Sequence, residues 1–154
     1  MKTALVALSL LIAAPVQAVE ALVGEIESCL GRIGDPGEHP ELCMGLHVNR
    51  CVGTDAGKAA GGETVCIDEE AEAWMRLMNV EYTILLGKLG DDQRAALRDA
   101  QRKWTAFLKS DCEFPLVFER GALARPWAAD CRLQHTARRA MELRGYLNYL
   151  AYTQ

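Results

Sequence analysis

The six cysteines carry the most reactive side chains of this sequence, and all of them follow a stretch that is typical of an export signal. Thiols can act as nucleophiles or metal ligands, but an even number of them in an exported chain indicates a disulfide framework. The sequence has no Cys-x-x-Cys motif, which argues against thioredoxin-like redox chemistry and haem attachment. We therefore expect disulfides and no cofactor. The cysteines are Cys29, Cys43, Cys51, Cys66, Cys112 and Cys131.

The sequence does not determine how six cysteines pair, but the helix pattern narrows the choice. Cys112 and Cys131 flank a predicted loop between two long helices, and a bond between them would remove about 3 kcal/mol of unfolded-state freedom. Cys43 and Cys51 would be about 12 Å apart if they shared one helix, which is beyond disulfide reach. The other two favoured bonds each close a turn between neighbouring helices. The favoured pairs are Cys29–Cys43, Cys51–Cys66 and Cys112–Cys131.

No group of polar side chains forms a recognisable catalytic or metal site. Glu69 and Glu70 fall in the early turns of a predicted helix, where their charges favour the helix dipole. No partner residue is indicated that would make them a general acid/base pair. The three histidines lack the clustered spacing of zinc ligands, and serine-hydrolase, zinc-protease and phosphate-loop motifs are absent. We predict that the protein is not an enzyme and that it holds no metal.

Four polar residues lie near the apolar stripes of their helices: Asn79, Gln101, Thr136 and Arg139. Buried polar groups must find hydrogen-bond partners, so we expect a network across the three long helices. We favour a structural network over a ligand site. Aromatic residues in phase with these stripes are predicted to lie in the core. They are Trp74, Tyr82, Trp104 and Phe107.

Helices must position these residues, because helical periodicity dominates and strand-like alternation is scarce. Loops are predicted at 53–62 and 113–126, and Phe114, Val117 and Phe118 are expected to fold back onto the bundle. Trp127, beside Pro126, is either a partly exposed anchor or packs against this loop. A very short turn at Gly90 predicts an antiparallel hairpin of two long helices. The fold class is all-α, a small disulfide-stapled helical bundle. Helices are predicted at 20–33, 41–52, 64–89, 93–110 and 127–149.

The N-terminus has the features of a cleavable export signal. A basic start at Lys2 precedes an apolar run over residues 4–14, and small residues lead up to Ala18. This run is too short to span a bilayer, which needs about 20 residues. We predict a signal peptide over residues 1–18, cleavage after Ala18, and one domain over residues 19–154. The protein is then periplasmic or secreted, and no later segment is predicted to span a membrane.

The charge of the chain also limits its partners. The formal net charge is −4, and it becomes about −5 when Lys2 is removed with the signal. An acidic chain disfavours nucleic acid, since phosphate binding needs a basic face. It is compatible with a cationic protein partner.

A set of spaced residues between Cys66 and Leu143 resembles the N-terminal domain family of LprI-type lysozyme inhibitors. The resemblance implies an exported helical domain that binds a protein, with lysozyme as one implied partner. The alternative is a structural or assembly factor that binds another envelope protein. Inhibition would require a segment that enters a sugar-binding cleft. The two candidate segments are residues 53–62, with Asp55, and residues 113–125, with Glu113 and Glu119. The matching residues are Cys66, Met78-Asn79-x-x-Tyr82, Leu97-x-x-Ala100-Gln101-Arg102-x-Trp104-x-x-Phe107, Cys112, Gly121, Cys131 and Thr136-x-x-Arg139-Ala140-x-x-Leu143.

Overall fold

The computed structural model describes residues 13–33 and 39–153, and nearly all of them are helical. No strand occurs within these two ranges, so the predicted all-α fold class is confirmed. The elements, in chain order, are α1 (Ala13–Arg32), a 3-10 turn (Pro40–Cys43), α2 (Leu46–Cys51), α3 (Asp55–Lys58), α4 (Gly62–Lys88), α5 (Asp91–Phe118) and α6 (Ala124–Thr153).

Part of the predicted export signal lies outside the described residues, namely residues 1–12. The predicted cleavage point after Ala18 falls within α1. The predicted end of the first helix, at residues 34–37, is also outside the described ranges. Across the described part of the chain, no helix combines the length and the apolar character needed to cross a membrane.

The centre of the fold is the pair α4 and α6, which run parallel and pack along their length. Trp74 and Leu77 of α4 are fully buried against small residues of α6. Alanines let two helices approach closely, and α6 supplies several of them at three-and-four spacing. The remaining helices cover this pair, with α1, α2 and α3 on α4 and α5 on α6. The buried residues of α6 are Ala124, Ala128, Ala129, Leu133, Thr136, Ala137, Arg139, Ala140 and Leu143.

Two ion pairs connect α4 and α6. Arg132 donates to Asp68 near the start of both helices, at 2.5 Å. Further along, Arg144 donates through Nε to Oε1 of Glu81 at 2.6 Å. Glu81 is buried, and Arg144 also lies 3.8 Å from Glu27 of α1. The second pair therefore ties three helices together and gives a buried carboxylate its partner.

Helix α5 is peripheral, and this corrects one predicted core residue. The buried residues of α5 are Leu108 and Cys112. Trp74 is in the core, and Tyr82 and Trp104 pack partly buried against it.

Phe107, however, is 49% exposed, whereas its neighbour Leu108 is buried. The ring of Phe107 instead packs at a right angle to the ring of His135, with ring centroids 5.1 Å apart.

The predicted loop over 113–126 is much shorter in the structure. Helix α5 continues through Pro115 to Phe118, and α6 begins at Ala124. Pro115 removes one backbone donor near the end of the helix, and Pro126 falls in the first turn of α6, where proline is tolerated.

The side chains predicted to fold back onto the bundle therefore point outward from a helix. Phe114, Val117 and Phe118 are 61–70% exposed. Their predicted burial is wrong, because a continuous α5 directs them away from α6 instead of looping them over it.

The predicted second helix is broken into two short elements by Gly45. This residue has φ of +82°, a conformation that favours glycine, and it separates the 3-10 turn from α2. The predicted loop over 53–62 contains α3, which Thr54 caps by accepting from the amide of Gly57. A Cβ at Gly57 would lie 2.1 Å from the carbonyl oxygen of Cys51, so only glycine fits there.

Three disulfide bonds are formed, between Cys29 and Cys43, Cys51 and Cys66, and Cys112 and Cys131. Their Cα–Cα distances are 5.8, 5.7 and 5.4 Å, which are ordinary for disulfides. These are the pairs favoured from the sequence. The first ties the 3-10 turn to α1, the second ties α2 to α4, and the third ties α5 to α6.

A buried carboxylate holds the short N-terminal elements on α4. Glu70 is fully buried and accepts hydrogen bonds from the amides of Gly45, His47 and Val48 at 2.6, 2.9 and 3.0 Å. It also accepts from the indole Nε1 of Trp74 at 3.3 Å. Two of these amides belong to the first turn of α2, where helical donors lack partners. Glu70 is predicted from the sequence to favour the dipole of its own helix, whereas in the structure it caps another helix.

We predict that Glu70→Gln lowers the free energy of unfolding by about 2–3 kcal/mol, because an amide cannot accept all four bonds and its NH₂ would face backbone donors. Urea unfolding followed by circular dichroism measures this. The control is Glu69→Gln, one residue away, where the exposed carboxylate contacts His47 and contributes at most about 1 kcal/mol. Equal losses in the two variants would contradict the capping role.

Candidate functional site

The predicted polar network forms only in part, at the contact between α5 and α6. Nε of Arg139 donates to Oε1 of Gln101 at 3.1 Å, and Nη1 donates to Glu142 at 2.6 Å. The amide of Gln101 in turn lies 3.5 Å from the sulfur of Met78 on α4. Arg139 is buried, so these bonds satisfy a guanidinium that has little access to water.

Asn79 and Thr136 do not belong to this network. Asn79 is exposed, because it lies about 100° around α4 from the buried Met78. Thr136 is fully buried on α6, and its hydroxyl has no hydrogen-bond partner among the described residues.

Two clusters of potential metal ligands occur in the described chain, but each relies on cysteine. Asp111 and His135 lie beside Cys112 and Cys131, and His47 and Glu69 lie beside Cys51. All three cysteines are in disulfides and offer no thiolate. Each cluster then retains two donors, one imidazole and one carboxylate, which are fewer than the three or four protein ligands of a zinc site.

Several exposed apolar residues cluster in sequence at the end of the bundle where α5 passes into α6. We call residues 113–127 the α5–α6 tip. Phe114 and Phe118 stack on each other with ring centroids 5.5 Å apart. Exposed apolar residues that lie together in this way form a candidate interaction site. The exposed apolar residues of the tip are Phe114, Leu116, Val117, Phe118, Leu123 and Trp127.

The base of the tip is held rigidly. The Cys112–Cys131 disulfide joins the two helices below it. His135 lies beside this bond, with Nε2 at 2.9 Å from Asp111 and its ring perpendicular to that of Phe107. These contacts fix an antiparallel register that brings the start of α6 level with the last turns of α5. The apolar side chains of the tip are therefore presented on a preorganised support.

A groove separates the tip from the segment over residues 53–62. Arg125 of α6 forms one wall, and Ala56, Ala59 and Val65 contribute to the other. The groove has a volume of about 720 Å³, and the carboxylate of Glu69 lies beside it. The two segments considered from the sequence thus lie at the same end of the bundle. The sequence could not show that these two segments are close, because their proximity depends on the parallel packing of α4 and α6.

A second cavity, of about 480 Å³, lies at the opposite end between α5 and the last turns of α6. Its lining is mostly apolar, with Leu89, Leu97 and Tyr146 among its walls, and the Arg139–Glu142 pair closes one side. The guanidinium is already bonded to Gln101 and Glu142, which favours a structural role for this network.

The outer face of α5 carries local ion pairs and no clustered site. Asp99 contacts both Arg102 and Lys103. The hydrogen bond from Lys103 lowers the pKa of the Asp99 carboxyl below its usual value. Because the carboxyl is exposed, water screens this interaction and it adds little to stability.

Comparison with known protein families gives one match. A family model described as "Lysozyme inhibitor LprI" matches residues 51–143, which is more than half of the chain. The matched range begins at Cys51 and contains the groove, the tip and the Arg139–Gln101 contact, whereas α1 lies outside it. Searches of the curated proteins and of the solved structures found no match.

We predict that Gln101→Leu lowers the free energy of unfolding by about 1–3 kcal/mol, because the buried Nε of Arg139 loses its acceptor. Thermal unfolding by circular dichroism measures the effect. Asn79→Leu is the matched control and should change stability by less than about 0.5 kcal/mol, since Asn79 is exposed. An unchanged melting temperature for Gln101→Leu would show that the network is not structural.

We also predict that replacing Cys112 and Cys131 together by serine lowers stability by about 3 kcal/mol, since the unfolded chain gains freedom. Amide hydrogen exchange should become faster over residues 113–127, while the amides of α4 stay protected. Unchanged exchange in the tip would show that the disulfide does not hold it.

Proposed function

Because this chain belongs to the LprI lysozyme inhibitor family, we propose that it is an exported protein-binding domain that inhibits lysozyme. The observation that carries the proposal is the α5–α6 tip, an exposed apolar surface on a disulfide-clamped support. An inhibitor must present such a surface to a cleft, and ordering a flexible loop on binding would lower its affinity. A rigid support reduces this entropic cost.

The composition of the tip supports protein binding. Aromatic side chains are enriched among the residues that dominate binding energy, and Phe118 and Trp127 are both available here. Phe118 is 68% exposed, so its burial by a partner would remove much apolar surface from water. The adjoining groove, with Arg125 in its wall, offers polar contacts around this apolar centre.

Charge supports a cationic partner. The chain has a net charge of −4, and lysozymes of the common animal type are cationic. Opposite net charges raise the association rate, and this effect weakens as salt screens it. Inhibition by this protein should therefore set in more slowly at high ionic strength.

Binding, rather than catalysis, also agrees with the chemistry of the described residues. The cysteines, which would be the strongest nucleophiles, are all in disulfides. The three disulfides fit a periplasmic or extracellular location, where such bonds persist. We propose that the signal peptide is removed after Ala18 and that the mature protein acts in that compartment.

A second candidate function uses the same surface. An envelope assembly factor would bind another periplasmic protein through an exposed apolar patch, and the tip around Trp127 is such a patch. The two functions differ in the partner and not in the site. A lysozyme assay separates them, because an assembly factor would leave lysozyme turnover unchanged.

We predict that the oxidised mature protein inhibits animal-type lysozyme in a cell-wall turbidity assay at micromolar concentrations. Phe118→Asp should weaken inhibition at least tenfold, because it places a charge at the centre of the apolar surface. Phe118 is exposed, so the circular dichroism spectrum of Phe118→Asp should match that of the wild type. No inhibition by the wild type at a large micromolar excess would contradict the proposed function and favour the assembly factor.

A further inference from the structure

The corner between α5 and α6 carries an exposed arginine at its apex. Arg120 lies within the five residues that join the helices, between Phe118 and Leu123, both exposed. No ion pair of Arg120 is found within the described ranges. Its guanidinium is therefore presented to solvent on a short, well-supported turn.

The neighbouring acid, Glu119, is turned back into the corner. Its Oε1 accepts a hydrogen bond from the amide of Gly121 at 2.7 Å. This bond shapes the turn and gives the Glu119 carboxylate a backbone partner. The other arginine of the region, Arg125, lines the groove near Asp68 and Glu69 and so faces acids of its own chain. Arg120 is thus the cation that the apex directs outward.

The active site of a lysozyme has the complementary chemistry. Glycoside hydrolases of this type place two carboxyl groups on either side of the bond that they cleave. A guanidinium can pair with carboxylates through two parallel hydrogen bonds, which an ammonium cannot reproduce. Apolar and aromatic side chains beside that cation would occupy the space where sugar rings bind.

We propose that Arg120 is the residue that the tip presents to the catalytic carboxylates of lysozyme, with Phe118 and Leu123 in the flanking sugar subsites. This proposal rests on the proposed function and specifies its site. It explains how an acidic protein reaches an acidic pocket within a cationic enzyme: the net charge of the chain attracts the enzyme, and the apex supplies the opposite sign locally.

Charge reversal tests the proposal directly. Arg120→Glu should weaken inhibition about 100-fold, since a carboxylate would face two others in a desolvated cleft. Arg120→Lys keeps the charge but loses the bidentate geometry, and it should weaken inhibition about tenfold. The matched control is Arg98→Glu, an exposed arginine on α5 about 30 Å from Arg120 by helix rise. It should inhibit like the wild type, and all variants should melt alike.

A double-mutant cycle adds a readout that a structural role would not move. Calorimetry would measure binding of the wild type and of Arg120→Glu to lysozyme and to a lysozyme variant with amides in place of both catalytic carboxylates. We expect the loss caused by Arg120→Glu to shrink at least tenfold with the amide variant. A neutral N-acetylglucosamine oligomer should compete with the wild type for the cleft.

The outcomes separate the two proposals. Absence of inhibition by the wild type overturns both of them. If the wild type inhibits lysozyme, three results would each overturn this proposal alone. They are full inhibition by Arg120→Glu, no competition by the oligomer, and no coupling between Arg120 and the catalytic carboxylates. In that case another part of the tip or the groove would hold the enzyme.

Discussion

One buried carboxylate, that of Glu70, joins the short N-terminal elements to the core of this domain. Helix α2 is only six residues long and could not persist alone in water. Glu70 supplies acceptors for the amides at its start, and the same carboxylate holds the indole of Trp74 in the core. A charge is costly to bury, so these bonds must form together. Together with the Cys51–Cys66 disulfide, they hold α2 on α4 beside the groove.

The sequence predicted the helices that bury continuous stripes and failed where burial is one-sided. The stripe of α4 around Trp74 placed that helix well, because its face is covered by several elements. In α5 the same kind of pattern extended to Phe107, yet Phe107 is half exposed while Leu108 and Cys112 are buried. Periodicity indicates a helical face but not how many partners cover it. The predicted end of this helix was also wrong, because Pro115 suggested a loop where the helix continues.

The candidate site was less predictable than the fold. Arg139 and Gln101 could be paired in advance, since both lie near inner stripes of neighbouring helices. The role of Glu70 could not, because its partners are backbone amides whose position depends on a left-handed Gly45. The contiguity of the tip and the groove follows from the parallel packing of α4 and α6, which two ion pairs also connect. Long-range register of this kind has no signature in the local sequence.

The order of the disulfides along the chain has a consequence for biogenesis. Each cysteine is joined to the next one in sequence, at separations of 14, 15 and 19 residues. A chain that emerges from an export channel N-terminus first can therefore close each bond before the next pair appears. No bridge has to be broken and exchanged for another to reach the native state. An oxidase alone should suffice for maturation, without an isomerase to correct mispaired intermediates.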